Sequence, residues 1–167
     1  MSPHSKDEQH FLHLANEAAE HSNCLRRKTG AILVLDGIPA VQGYNGTPIN
    51  TLACNDGGCP RCASKIPELQ GYENCACVHA EVNAVVLAAR VGIRTQGASV
   101  FCTLRPCLGC LKVLIQAGIV QVVYCETYTL DAKIEKLWHS LVKQAGITLR
   151  QVNVQLPLKK KRRRHGI

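Results

Sequence analysis

The chain has 167 residues, of which 46% are hydrophobic and 19% are charged. This length and composition indicate one globular domain with a sizeable core, and they exclude a disordered or fibrous chain. The formal net charge is +8, but six basic residues at 159–164 carry +6 of it, which leaves +2 elsewhere. No run of 18 apolar residues predicts a membrane helix, and the polar N-terminus lacks an apolar signal-peptide core. We therefore expect a cytoplasmic protein with a basic tail.

The first part of the chain predicts a helix, a hairpin and a long loop. Apolar residues from Phe11 to Ala18 recur at i, i+3, i+4 and i+7, which is typical of a helix. The apolar run Ala31–Leu35 ends at Asp36-Gly37 and is followed by Pro39–Val41, which predicts two strands joined by a tight turn. Residues 44–78 are rich in Gly, Pro, Asn and Cys. A loop of that length needs something to pin it, and a metal would do so.

From residue 79 onward, predicted helices and strands alternate. In chain order these elements are helix Ala80–Arg90, strand Ser99–Thr103, helix Cys107–Gln116, strand Val120–Tyr124, helix Leu130–Gln144 and strand Ile147–Val154. Strands separated by helices pair in parallel through crossovers, whereas the hairpin must be antiparallel. The sequence therefore predicts an α/β fold with a mixed sheet.

Two short motifs stand at the starts of two of these helices. They are His79-Ala80-Glu81 and Pro106-Cys107-Leu108-Gly109-Cys110. H-x-E followed by P-C-x-x-C is the signature of zinc deaminases. A helix N-terminus lowers the pKa of a thiol, and the i, i+3 spacing puts both sulfurs on one helix face.

The predicted catalytic zinc ligands are His79, Cys107 and Cys110, which leave a fourth position open for water. Glu81 is predicted to be the general acid and base that moves protons during hydrolytic deamination. Taken alone, His-x-Glu is an ordinary helix start, and Cys-x-x-Cys also occurs in redox pairs and structural zinc knuckles. Their combination, with a strand between them, favours the deaminase.

The chain resembles the deoxycytidylate (dCMP) deaminase family over roughly residues 5–150. The matching segments are those at 22–31, 43–48 (GYNGTP), 75–84 (CACVHAEVNA), 103–110 (TLRPCLGC), 117–119 and 124–128. The GYNGTP segment and the cysteine-bearing loop before His79 distinguish it from deaminases of free nucleosides.

The resemblance implies a three-layer α/β/α cytidine-deaminase-like fold around a five-stranded mixed sheet. It implies zinc-dependent hydrolysis of dCMP to dUMP and ammonia, in pyrimidine nucleotide metabolism. It further implies a homo-oligomer, hexamer or dimer, that is activated by dCTP with Mg²⁺ and inhibited by dTTP. The alternatives are a deaminase of dCTP, of CMP or of a base in RNA or tRNA, and a non-catalytic zinc-stabilised binding module.

The resemblance also implies a set of substrate-binding residues. They are Asn45, Arg26, Tyr124, Tyr128 and Ala80. Asn45 is expected to contact the nucleotide, although Asn-Gly is also an ordinary turn. Arg26 is the candidate for the 5′-phosphate, with a solvated basic cluster at 26–28 as the alternative. The two tyrosines either stack on or close over the base, or belong to the core.

A second, structural zinc site is predicted from the same resemblance. Its ligands are Cys24, Cys54, Cys59 and Cys75, with Cys62 and Cys77 as spare candidates. Four thiolates leave no open position, so such a site would pin the long loop rather than catalyse. The alternative is free thiols in a reducing compartment. Cys102 and Cys125, on strands, are expected to be small core residues.

Two features depart from the family pattern. Arg105 stands directly before the Pro-Cys pair, where it could contact a phosphate or alter substrate choice. The chain is expected to divide into a deaminase domain at 1–156 and a disordered basic tail at 157–167. Nucleic-acid binding and nuclear import are the alternative roles of this tail.

Overall fold

Secondary structure follows the apolar pattern of the chain. The protein is represented by a computed structural model, which describes residues 4–64 and 74–154. The helices are His4–Glu20 (α1), Pro60–Ala63 (α2), Ala80–Val91 (α3), Leu108–Gln116 (α4) and Ala132–Ala145 (α5). The strands are Gly30–Leu35 (β1), Ile38–Tyr44 (β2), Ser99–Leu104 (β3), Gln121–Glu126 (β4) and Thr148–Gln151 (β5).

The five strands form one mixed sheet in the order β2-β1-β3-β4-β5. Strand β1 is antiparallel to both β2 and β3, whereas β3, β4 and β5 are parallel to one another. This arrangement confirms the predicted hairpin and the predicted helical crossovers. In open α/β sheets, ligand sites lie beyond the carboxyl ends of the parallel strands. The Pro-Cys motif follows the carboxyl end of β3 directly.

The hairpin turn has the backbone that its sequence predicts. Asp36 and Gly37 have φ angles of 53° and 79°, so both central residues are left-handed. A two-residue turn of this kind matches the right-handed twist of the flanking strands, and Asp-Gly is among its preferred sequences. The turn therefore sets the register of β1 against β2.

Apolar side chains cover both faces of the sheet. On one face, Phe11 and Ala15 of α1 pack with Ile32 and Phe101. On the other, α3 and α4 pack against a second apolar cluster, to which α5 adds Val142. These are the three layers of the expected α/β/α architecture. Cys102 and Cys125 are buried in opposite clusters, as expected of small core residues.

The N-terminus of α3 is held close to the sheet by a glycine of β2. A Cβ atom at Gly43 would lie only 2.2 Å from the backbone oxygen of Ala80. Any side chain at this position would push the start of α3 outward, and with it His79 and Glu81. Asn83 adds a hydrogen bond of 2.7 Å from its Nδ2 to the oxygen of Tyr44.

The loop-rich region contains little regular structure in its described residues. It includes a short 3-10 turn at Cys54–Asp56 and the four-residue α2. The predicted tail at 157–167, and the boundary placed at 156, lie outside the described residues. Among the helices of the described segments, none has both the length and the apolar character needed to cross a membrane.

Candidate active site

His79 is placed at the start of α3 by contacts on both sides. It is the N-cap residue, with the extended backbone that this position requires. The preceding residue, Val78, pairs with Gly46 through two backbone hydrogen bonds of 2.8 and 3.2 Å. The half-buried imidazole is thus held between a β-bridge and a helix terminus.

Cys107 has the equivalent position at the start of α4. The predicted helix begins at this residue, but the structure begins it at Leu108, because Cys107 is the N-cap and has extended backbone angles. Its sulfur accepts a hydrogen bond from the backbone N–H of Cys110 at 3.4 Å. The helix terminus therefore favours a thiolate at Cys107.

The three predicted ligands of the catalytic zinc come together. His79 Nδ1 lies 3.2 Å from Cys110 Sγ and 3.5 Å from Cys107 Sγ, and the two sulfurs are 3.5 Å apart. Tetrahedral zinc with ordinary bonds to nitrogen and sulfur separates its ligand atoms by about 3.5 to 3.8 Å. One nitrogen and two sulfurs at this spacing fit zinc and leave a fourth position. We call these three residues the His79 group.

Glu81 lies beside the His79 group. Its side chain is buried, and Oε2 is 3.5 Å from Cys110 Sγ. Burial raises the pKa of this carboxyl above its ordinary value, and the nearby His79 opposes that shift. A raised pKa suits a carboxyl group that must both accept and donate a proton near neutral pH.

The two thiols of the His79 group have opposite pKa shifts. The hydrogen bond from Cys110, followed by that from His79, lowers the pKa of Cys107 to about 4. The pKa of Cys110 is raised, first by its hydrogen bond to Cys107 and then by burial. The hydrogen bond with Cys107 likewise raises the pKa of His79. The lowered pKa agrees with the N-cap position of Cys107, which favours its thiolate.

A buried contact network that the sequence did not predict supports the start of α4. The Arg105 guanidinium lies 3.8 Å from the centre of the Trp138 ring, and its Nη2 is 2.8 Å from Glu135 Oε1. Trp138 Nε1 donates to the backbone oxygen of Pro106 at 3.0 Å. These contacts attach α5 to the residues just before Cys107. The only signal in the sequence was the single tryptophan, which needed a buried partner for its N–H.

The side chain of Asn45 forms hydrogen bonds with the segment between α1 and β1. Its Oδ1 accepts from Ser22 Oγ at 2.7 Å and from the backbone N–H of Thr29 at 2.8 Å. Its Nδ2 donates to the backbone oxygen of Arg27 at 2.8 Å. The side chain therefore holds the segment between α1 and β1, and its predicted contact with a nucleotide stays a prediction.

The other predicted substrate contacts lie in different surroundings. The Arg26 guanidinium donates to the backbone oxygens of Arg61 and Ser64, at 2.9 to 3.2 Å. Tyr124 packs against the apolar cluster that includes the buried Ala80, and Tyr128 is half-buried. Arg26 is thus engaged with the cysteine-bearing loop, whereas Tyr124 and Ala80 share the face of the sheet covered by α3. The substrate roles of all four residues stay predictions.

Six cysteines gather in the long loop and beside it, and we call them the sulfur cluster. They form two overlapping groups, within each of which the sulfurs lie no more than 4.8 Å apart: Cys24, Cys54, Cys62, Cys77 and Cys59, Cys62, Cys75, Cys77. The four predicted structural ligands are therefore divided between two groups, and the two spare candidates belong to both. The hydrogen bond from Cys77 is the largest cause that lowers the pKa of Cys24, to about 5.

Comparison with known families identifies the chain. The family model described as the cytidine and deoxycytidylate deaminase zinc-binding region matches residues 5–126, which include the whole His79 group. The chain belongs to this deaminase family. One histidine and two cysteines beside a glutamate are the signature residues of zinc deaminases.

Members of the deaminase family include relatives of similar and of greater length. Deoxycytidylate deaminase of Mycobacterium phage D29 is 36% identical over 122 residues, covering 70% of this chain and 92% of the relative. Deoxycytidylate deaminase of Saccharomyces cerevisiae is 39% identical over 144 residues, covering 86% of this chain and 44% of the relative. The chain thus spans less than half the length of its yeast relative.

A solved structure has the same architecture. The dCMP deaminase of cyanophage S-TIM5, in complex with dCMP and dUMP, is 30% identical to this chain, with a TM-score of 0.68. The match covers 91% of this chain and 99% of the phage protein. The expected cytidine-deaminase-like fold is confirmed.

Proposed function

We propose that the chain hydrolyses dCMP to dUMP and ammonia. The observation that carries this proposal is the meeting of His79, Cys107 and Cys110 at zinc-ligand distances beside the buried Glu81. The named relatives and the phage enzyme with bound dCMP and dUMP support the choice of substrate.

The residues present can perform the proton transfers that deamination requires. His79 Nδ1 and the sulfurs of Cys107 and Cys110 would hold zinc, which when bound lowers the pKa of water and supplies a nucleophile at neutral pH. Glu81 accepts a proton from the attacking water and donates it to a ring nitrogen of cytosine. The water oxygen forms a bond to the amino-bearing ring carbon, and Glu81 then takes the remaining proton of that hydroxyl and passes it to the amino group. The bond between this carbon and nitrogen breaks, which releases ammonia and leaves the carbonyl of the product.

Asn45 can contribute to substrate binding without giving up its structural role. Its Nδ2 carries two hydrogens, and the bond to Arg27 uses one of them. The other can donate to a nucleotide oxygen. Tyr124, beside Ala80 on the face covered by α3, is the candidate to contact the base, with Tyr128. Arg26 is the candidate for the 5′-phosphate. Its guanidinium also donates to the backbone oxygens of Arg61 and Ser64 in the loop.

Several properties stay predictions from the sequence. They are assembly into a hexamer or dimer, regulation by dCTP with Mg²⁺, cytoplasmic location and the role of the basic tail. The domain boundary at 156 belongs with them.

The decisive experiment measures ammonia release by the zinc-loaded protein from dCMP, dCTP, CMP, deoxycytidine and a cytosine-containing RNA. We expect dCMP to be the preferred substrate. Preference for RNA, or no release from dCMP even with dCTP and Mg²⁺ present, would contradict the proposal. Glu81→Gln, prepared in parallel, shows whether any activity belongs to this chain rather than to a contaminant.

A further inference from the structure

The described part of the long loop, residues 45–64 and 74–78, packs around cysteine sulfurs instead of hydrocarbon side chains. Its buried apolar residues are Cys54, Cys59, Cys62 and Cys77, against which Cys24, Cys75 and Ala76 pack. Cys54 and Cys59 are completely buried. Six small thiols bury too little apolar surface to hold an irregular loop by the hydrophobic effect alone. Something else must stabilise this packing.

The sulfur–sulfur distances fit metal-bound thiolates. Cys24 Sγ and Cys62 Sγ are 3.8 Å apart, and Cys59 Sγ and Cys75 Sγ are 3.9 Å apart. A disulfide would bring the two sulfurs to about 2.05 Å. Two thiolates on one tetrahedral zinc, with bonds of about 2.3 Å, lie about 3.8 Å apart. The geometry therefore matches coordination and not oxidation.

The overlap of the two groups determines how many ions the sulfur cluster fits. Two separate four-cysteine sites would need eight thiolates, but the two groups contain six cysteines because both include Cys62 and Cys77. We propose that the six cysteines hold two zinc ions in one binuclear cluster, with the sulfurs of Cys62 and Cys77 bridging them. Cys24 and Cys54 complete the first tetrahedron, and Cys59 and Cys75 complete the second.

The surroundings suit the charge of such a cluster. Two Zn²⁺ ions and six thiolates carry a net charge of −2, half the total of two separate four-thiolate sites. Backbone groups close to three of the non-bridging sulfurs favour their thiolate forms: those of Arg26 and Arg27 at Cys24, of Leu25 at Cys54, and of Cys62 and Ala76 at Cys59. Arg61, between Cys59 and Cys62, is buried, and Arg26 binds its backbone oxygen. All-sulfur tetrahedral sites select zinc over harder divalent ions.

The sulfur cluster is also connected to the segment that carries His79. Cys77 lies two residues before His79, and the intervening Val78 pairs with Gly46 next to Asn45. On the opposite side, the backbone N–H of Cys24 donates to Ser22 Oγ at 3.2 Å, and the same hydroxyl donates to Asn45. The binuclear cluster would thus fix the segment that delivers His79. The inference rests on cysteine geometry and does not depend on the proposed substrate.

The first test counts and locates the metal in the full-length protein purified with zinc. Elemental analysis should give three zinc ions per chain, one in the His79 group and two in the sulfur cluster. X-ray absorption should show a zinc–zinc vector near 3 Å, about the separation across two shared thiolates. His79→Ala should retain two ions and the vector. In the wild type, a total of two ions without the zinc–zinc vector would mean that the sulfur cluster holds a single zinc, and this would overturn the proposal. A total of one ion, or a sulfur cluster filled with iron, would also overturn it.

The second test separates bridging from terminal thiolates. Cys62→Ser should remove both cluster ions, because each depends on that sulfur, whereas Cys75→Ser should remove no more than one. Cys125→Ala, a buried cysteine outside the cluster, is the matched control and should keep three. Equal losses from Cys62→Ser and Cys75→Ser would contradict the assignment of bridges. A variant that does not fold leaves the wild-type metal count and vector to decide. Glu81→Gln should keep all three ions, so an inactive enzyme would not count against the cluster.

Discussion

The His79 group and the sulfur cluster lie two residues apart in the chain, yet they are built from different parts. The His79 group takes one nitrogen and two sulfurs from the N-termini of two regular helices, with a buried carboxylate 3.5 Å away. The sulfur cluster takes cysteines alone from loops, a 3-10 turn and a four-residue helix.

The difference shows how ligand number separates chemistry from stability. Three protein ligands leave zinc one position for a reactant, whereas four per ion close it. The reactive group therefore lies on two helix starts that fix an acid beside it, and the proposed closed group would replace the apolar core that the described part of the loop lacks. Each prediction below tests whether the two groups have these separate roles.

The largest expected effect is on catalysis at Glu81. Glu81→Gln keeps the size and burial of the side chain but cannot move a proton, so kcat for dCMP should fall by about 10²- to 10⁴-fold. Zinc content and the free energy of unfolding should change little, because Glu81 is not a ligand. Steady-state kinetics and metal analysis of the same preparation check this.

Glu17→Gln is the control for that variant. Glu17 is an exposed glutamate of α1, and its substitution should leave kcat unchanged. Wild-type turnover by Glu81→Gln would rule out Glu81 as the proton carrier and with it the mechanism proposed above.

The second largest effect is on stability at Cys54. Cys54→Ala removes a fully buried member of the sulfur cluster and should destabilise the fold by more than about 4 kcal/mol, the range associated with loss of a metal. Cys102→Ala, also fully buried but in the sheet core, should cost only about 1 to 2 kcal/mol for its lost sulfur.

Urea unfolding of the two cysteine variants measures this contrast. Adding a chelator should destabilise the wild type by at least as much as the Cys54→Ala substitution does, and it should destabilise that variant by less, because the variant has already lost one of its ions. Equal destabilisation by the two substitutions would indicate that the loop cysteines pack as free thiols.

An intermediate effect is expected at Asn45, which lies between the two groups. Asn45→Ala loses three side-chain hydrogen bonds and should cost about 3 kcal/mol of unfolding free energy, at about 1 kcal/mol for each. Asn45→Asp keeps the acceptor but loses the donor, so it should be less destabilised and still show a raised KM for dCMP. An unchanged KM in a folded Asn45→Asp enzyme would restrict Asn45 to its structural role.

Much of the fold and of the His79 group was predictable because local chemistry decides it. The Asp36-Gly37 turn, the alternating elements after residue 79 and the motifs at two helix starts each follow from short-range preferences. Cys107 shows the limit of such patterns. An N-cap residue belongs to the motif but not to the helix, so the predicted helix began one residue early.

The partners in the loop and beneath α4 could not be predicted in the same way. Six cysteines between residues 24 and 77 permit several groupings of four, and spacing along an irregular loop does not determine which sulfurs meet. The Arg105–Glu135 pair and the Trp138–Pro106 bond each join residues at least 30 positions apart. Such contacts depend on how α5 packs, which no local pattern determines.

The smallest predicted effect concerns Glu135, which forms an ion pair with Arg105, two residues before Cys107. The hydrogen bond from Arg105 is the largest cause that lowers the pKa of this carboxyl, and His139 adds to it. Because the folded-state pKa lies below the unfolded one, the stabilisation is complete above the unfolded value and is lost as pH falls through the folded one. Glu135→Gln should therefore cost about 1 kcal/mol at neutral pH.

The test compares urea unfolding of wild type and Glu135→Gln at neutral and at acidic pH. The difference should disappear once the wild-type carboxyl is protonated. Glu126→Gln is a suitable control, because Glu126 pairs with Arg27 where both side chains are about half exposed, and a pair screened by water contributes little. A Glu135 difference that persists in acid would mean that the side chain acts through packing against Arg105 and not through its charge. In that case the guanidinium is held over Trp138 by the ring itself, and α5 supports Cys107 without an ion pair.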